Sequence, residues 1–308
     1  MLMYVGRRLL QAIPVFFGTT FLIYFMVFSM PGNPVLALFG DKTPNPAVLQ
    51  RVMEQYNLDK PFIVQYFLYL KNLVTGNLGV TFSGRNVSDI FARAFPVTLK
   101  LVIMAVVIEL LLSVVIGLIS GLRKGRVLDH SNLIVALVLS SVPPFVALFV
   151  AQYFIGIKLN WAPVTVGANA TYPAMLLPAI VIALTIYVTG MRLMRGSVIE
   201  AQSAEYVRTA AAKGLTRRRI IPVHIARNSL IPVMTNTAAS FGGLIAGTTV
   251  TEGIFNIPGI GNVLFKAIIL GENATIVSFV TILTVLYVLV NILVDLLYAV
   301  LDPRIRYV

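Results

Sequence analysis

A chain of 308 residues that is 58% apolar and only 12% charged, with a mean hydropathy of +0.88, stands far from the roughly 25% charged residues of soluble domains. That excludes a soluble globular protein, and the absence of cysteine removes disulfides and thiolate metal sites. A net charge of +12 would point to nucleic acid in a soluble chain, but here the cations sit between apolar runs, so the expected partner is membrane lipid and not nucleic acid.

Crossing a bilayer takes ~20 apolar residues for ~30 Å of hydrocarbon. Six stretches qualify, at 9–30, 99–120, 133–155, 174–191, 229–250 and 276–301, which predicts one all-α integral membrane unit over 1–308 with six transmembrane helices. Arg7 and Arg8 precede the first stretch as in a signal peptide, but Pro31-Gly32-Asn33-Pro34 follows in place of a small-residue cleavage site. The polar segment 31–98 predicts a small extracytoplasmic helical layer with helices at 48–56 and 61–73. The second of these has Pro61 in first position and a stripe of Phe62, Tyr66, Tyr69 and Leu73. It reads as a structural lid.

Glu109 lies near the middle of the second stretch, and Asp295 about one and a half turns before the end of the last. Intramembrane carboxylates bind cationic groups, carry protons, or are held by structural partners. In the third stretch Val142-Pro143-Pro144-Phe145 removes two backbone donors and forces a kink. That reads either as a hinge or path-lining break, or as a bent packing helix. The fifth stretch carries Gly242, Gly243 and Gly247, small residues that mark close helix packing, so it reads as a buried span.

Between the fourth and fifth stretches lies a polar, basic loop at 194–228. Within it 206–213 favours helix, with Ala210, Ala211 and Ala212 inside and Gly214 where a helix stops. Ser203 is expected as the cap, which places Glu205 in the first turn against the helix dipole. With the N-terminus cytoplasmic, Arg7 and Arg8, Arg123 to Arg126, Arg192 to Arg227, and Arg304 with Arg306 all fall inside, against Lys158 and Lys266 in the short outer connections. Both termini and the basic loop are therefore expected in the cytoplasm.

Glu205, Ala210, Ala211, Ala212 and Gly214, followed by Pro232 after Leu230 and Ile231, resemble the EAA loop of ABC importer membrane subunits in its dipeptide/oligopeptide form, which implies that these five, with Tyr206, Arg208 and Lys213, couple to an ATPase. Pro31-Gly32-Asn33-Pro34, Leu58-Asp59-Lys60-Pro61, Gln65-Tyr66, Gly76-Asn77-Leu78-Gly79 and Asp302-Pro303-Arg304 resemble that family as well. So does Thr251-Glu252-Gly253-Ile254-Phe255-Asn256-Ile257-Pro258-Gly259-Ile260-Gly261, similar to its E-x-x-F-x-x-P-G-x-G segment. Asn33 and Asn77 replace common aspartates. Asparagine supports the same turn through its side chain, without the charge.

The resemblance, to the B-type permease, implies a type I ABC importer permease fold in a prokaryotic plasma membrane. It also implies a second similar permease, two cytoplasmic ATPase subunits gripping the short helix, and an extracytoplasmic substrate-binding protein. No G-x-x-x-x-G-K-[ST] occurs, so ATP would be bound by the partner subunits and the chain is not expected to be an enzyme or to carry a cofactor. His130 and His224 have no ligand spacing, so no metal is expected. The rival reading is a proton-coupled secondary transporter using Glu109 and Asp295, although paired interrupted repeats are missing. An assembly protein without transport fits the Pro and Gly breaks less well.

Overall fold

The computed structural model describes residues 2–28, 50, 53, 59–81 and 84–301. Among them every extended element is helical, apart from one antiparallel bridge between Val80 and Asn86. The expected helix at 48–56, the Pro31 to Pro34 turn, Leu58 and the terminal Asp302-Pro303-Arg304 lie outside the described residues, as do the side chains of Arg7, Arg8 and Asp295.

Among the described residues, four helical stretches are long and apolar enough to cross a membrane, Leu10–Phe28, Val87–Leu122, Tyr172–Ser203 and Thr275–Val294. Val127–Ser141 and Pro144–Lys158 together pass the same test as one bent pair. The fifth expected span is helical as Arg227–Gly247 but is diluted by Ser, Thr and Asn and interrupted by Pro232. It is not among the candidate spans of the described residues, which number four, or five if the bent pair is one span.

The chain forms two compact units. The first joins Met1–Thr98 to Ile245–Val308. In it, α1 (Leu2–Phe28) packs along α12 (Asn273–Leu301). The helix α2 (Phe62–Val74) lies on both. Pro61 sits one place outside α2, with ψ 142, and not at its first position, because a helical ψ there was not adopted. Its aromatic stripe is real but shifted at the end. Tyr66, Phe62, Tyr69 and Leu70 join Tyr24 and Val277 in one cluster. Two hydroxyls reach past the apolar rings: Tyr66 shares a hydrogen bond with Thr20 at 2.9 Å, and Tyr69 donates to Thr281 at 2.6 Å. After α2, Asn77 Oδ1 accepts the Gly79 N–H at 3.0 Å, so asparagine does support this turn.

The second unit, Leu99–Leu244, contains most of α3 (Val87–Leu122) together with α4 (Val127–Ser141), α5 (Pro144–Ala151) and a π-helical turn over Gln152–Lys158. It continues through α6 (Tyr172–Ser203), α7 (Glu205–Ala212), α8 (Arg217–Ile220), a π turn over Ile221–Ala226 and most of α9 (Arg227–Gly247). The third expected span is broken, not curved. Val142 and Pro143 are extended, with ψ 123 and 136, and the two arms meet at 99°. Without N–H groups, Pro143 and Pro144 leave the carbonyls of Leu139 and Ser140 without helical donors.

Close packing in this unit falls on glycines other than those expected. A Cβ on Gly117 would lie 2.6 Å from Met194 Cβ, and one on Gly121 2.6 Å from Val198 Cβ. Small residues four apart on α3 thus meet residues four apart on α6, which lets the two backbones approach. Of the three glycines expected to pack closely in α9, Gly242 is buried, while a Cβ on Gly243 or Gly247 would meet nothing within 4 Å among the described residues. Gly121→Ala is expected to destabilise the purified protein by about 1–3 kcal/mol through overpacking. Gly196→Ala, where a Cβ meets nothing within 4 Å, should leave the thermal midpoint unchanged. Equal midpoints for both variants would remove the contact.

Candidate functional site: an anchored short helix and three buried carboxylates

α6 runs to Ser203, whose hydroxyl donates back to the Glu200 carbonyl at 2.9 Å. Ser203 is therefore spent on its own helix. Ala204, with ψ 146, turns the chain, and α7 starts without a side-chain cap. Glu205 does occupy the first turn. At the other end Gly214 has φ +80 and donates to the Ala211 carbonyl at 2.9 Å, while the Leu215 N–H reaches the Ala210 carbonyl at 3.2 Å. The two bonds make a Schellman stop, which needs a residue at ease in the left-handed region.

The fixing of α7 comes from its buried side. Val207 and Ala210 pack with Met194, Val198 and Ala201 of α6, with Ile220 and Ile225, and with Val233 of α9. Glu205, Tyr206, Arg208, Ala211, Ala212, Lys213 and Gly214 remain exposed, whereas Ala210 is inside. The result is a two-turn helix packed through one face against the end of α6, α8 and the π turn before α9, with Glu205, Tyr206, Arg208, Ala211 and Ala212 exposed. Beside Tyr206 opens a cavity of about 340 Å³ that also touches Glu200, Asn228 and Pro232.

Above this region Arg195 of α6 grips Asp129 of α4 with two nitrogens, Nε at 2.6 Å and Nη2 at 2.8 Å. The Gly125 N–H donates to the same carboxylate at 2.9 Å. Asp129 is buried, so this pair is fully used within the chain.

Glu109 is buried in α3. Ser113 Oγ lies 2.8 Å from Oε1, and Thr237 Oγ1 donates to Oε2 at 2.9 Å. A Cβ on Gly190 would intrude on both Ser113 and Glu109, so the carboxylate also fills the space that α6 leaves there. These are the serine and threonine partners a structural carboxylate needs. Glu109→Ala should cost on the order of 2 kcal/mol by emptying a buried site and orphaning the Thr237 hydroxyl, Ser113 keeping the Tyr187 carbonyl at 3.0 Å, while Glu109→Gln keeps the midpoint within ~0.5 kcal/mol and retains uptake. Lost uptake in a fully stable Glu109→Gln would instead assign the charge to transport. Asp295 falls on α12, and its side chain lies outside the described residues.

A third carboxylate stands in the family-like stretch from Thr251 to Gly261. Glu252 of α10 (Thr249–Ile254) is completely buried. It accepts from Thr98 Oγ1 at 2.7 Å, from Thr248 Oγ1 at 3.1 Å and from the Asn262 N–H at 3.0 Å. Thr98 in turn accepts the Ile260 N–H at 2.9 Å, at the start of α11 (Ile260–Leu270). Gly259 and Gly261 leave no room for a Cβ beside this carboxylate, which explains the glycines of the Pro-Gly-x-Gly stretch. Asn256 at φ +47 completes the turn.

Residues 113–307 match the family described as binding-protein-dependent transport system inner membrane component, and residues 1–102 match its N-terminal companion family. The chain belongs to that family. The permease is 35% identical to the oligopeptide transport system permease protein OppB of Haemophilus influenzae, over 100% of both chains. It is 33% identical to the di/tripeptide transport system permease protein DppB of Pseudomonas aeruginosa, over 100% of this chain and 99% of that one, and 34% identical to OppB of Escherichia coli K12 over the whole of both. These matches support a dipeptide/oligopeptide-type ABC importer membrane subunit, and the relatives are permease subunits, not ATPases. Nothing supports the proton-coupled reading.

Proposed function

We propose that this permease forms half of the translocation pathway of an ATP-driven importer for peptides or similar small solutes, with α7 as its coupling helix. The carrying observation is the construction of α7: buried through Val207 and Ala210, stopped by Gly214, and exposed through Glu205, Tyr206, Arg208, Ala211, Ala212 and Lys213. A helix held this firmly transmits a push to α6 and α9 instead of absorbing it.

In this reading six helices span the plasma membrane, α9 being the sixth when shielded by a partner, and 1–308 acts as one permease domain. Both termini and 194–228 face the cytoplasm, and 31–98 lies outside. A second similar permease, two ATPase subunits that bind the ATP, and an extracytoplasmic substrate-binding protein complete the assembly. Closure of the ATPases displaces α7, and the break at Pro143 and Pro144 lets the two arms around it move separately. The relatives' names supply the peptide class; the residues of this chain support only the coupling. Vesicle uptake tests it: transport should stop when ATP hydrolysis is blocked and persist with a proton uncoupler, and the opposite pattern would refute the reading.

A further inference from the structure

At the foot of α3 a second cavity, of about 650 Å³, is lined by Arg123, Lys124, Arg126 and Arg208 together with Gly121 and Gln202. The other lining residues, Leu122, Ile199 and Ser203, are uncharged, so among the described residues four cations face it and no carboxylate does. All four are exposed. The nearby Asp129 cannot neutralise them, because Arg195 and the Gly125 N–H already occupy its oxygens. The cavity wall is firm: the Gln202 amide donates to the Gly121 carbonyl at 2.9 Å and ties α6 to the end of α3.

We propose that this cavity binds the phosphodiester headgroup of an anionic phospholipid. Its position favours that occupant, since Arg123 directly follows Leu122, the last residue of an apolar helix, where headgroups begin. Guanidinium groups match phosphate oxygens in a bidentate fashion. Holding topology requires cations on one side of the membrane, but it does not require that Arg208 of α7 turn into the same cavity as the α3–α4 connection. A bound headgroup would bridge that connection to the coupling helix, making its seating depend on leaflet composition. The inference rests on the cytoplasmic placement of α7 proposed above.

The test uses the full chain in nanodiscs of phosphatidylcholine with increasing phosphatidylglycerol, extracted into neutral detergent and read by native mass spectrometry. Wild type should retain phosphatidylglycerol. Removing each cation should weaken retention about fivefold, so Arg208→Gln shows one such step and the triple Arg123→Gln, Lys124→Gln, Arg126→Gln shows near-complete loss. The triple Arg217→Gln, Arg218→Gln, Arg219→Gln removes the same charge away from the cavity and should retain the lipid. Equal loss in both triples, no retention by wild type, or stoichiometric binding of inorganic phosphate without lipid overturns the proposal. So does unchanged lipid retention in the first triple with failed ATPase assembly, which would assign the cations to a protein partner. Orientation is checked separately by labelling Lys124→Cys from either side; outside labelling would refute the proposed topology while leaving the lipid measurement readable.

Discussion

Arginine in place of Ala211 is expected to lower solute uptake by about tenfold or more, equivalent to ~1.4 kcal/mol or more of lost docking free energy, with membrane insertion intact. Ala211 is exposed and touches no core, so the added bulk meets whatever approaches α7 and not the fold. Gly214→Pro should act more severely and by a different route. Proline fixes φ near −65°, and Gly214 stands at +80. The substitution also deletes the N–H that donates to the Ala211 carbonyl. The stop is lost, at a cost of roughly 3 kcal/mol confined to this turn. Asparagine, which tolerates the left-handed region, should restore most of the coupling at this position. ATPase activity without uptake is the expected signature of both damaging variants, and normal transport by both would remove α7 from the mechanism.

Glu252→Ala is expected to be the most destabilising single change in the first unit, by about 3–5 kcal/mol in a detergent unfolding titration. Donors converge on that carboxylate from Thr98 of α3, from Thr248 just before α10 and from the Asn262 N–H near the start of α11, and its removal leaves them without that acceptor. Thr98→Val removes one donor and, with it, the acceptor for the Ile260 N–H. Because the two residues share one network, the double variant should fall short of the summed single effects by about 1–2 kcal/mol. Additive losses would mean that the carboxylate and the threonine act independently.

The difference between these two sites explains what could be read in advance. α7 is encoded locally: three alanines, a glycine four places after the first of them and a glutamate in the first turn place the helix to within a residue. Only its cap was misplaced, because Ser203 satisfies itself within α6, a choice made by the preceding helix. The Glu252 network is encoded across 154 positions, between Thr98 and Glu252, and a lone glutamate beside a Pro-Gly turn carries no sign of its distant donor.

Likewise the paired prolines announce a disruption in the third stretch, while its 99° angle depends on what α6 offers to each arm. Gly117 and Gly121, four apart in α3, carried a readable small-residue spacing. The more conspicuous glycines of α9 differ among themselves: Gly242 is buried, while a Cβ at Gly243 would meet nothing within 4 Å among the described residues.

The elbow between α4 and α5 also governs parity. Its first arm, 15 residues long, reaches only about 22 Å, short of a full crossing, so neither arm traverses the bilayer alone. On the proposed orientation the elbow as a whole must exit on the face opposite its entry. Were it to double back, every segment after Lys158 would be inverted, and Arg217, Arg218 and Arg219 would be exported against the distribution of charge that polytopic proteins obey. The arginines downstream thus select how the elbow is threaded. A chain free of cysteine lets a single reporter at Lys158 decide it, since that position is reachable from outside in one threading and from the cytosol in the other.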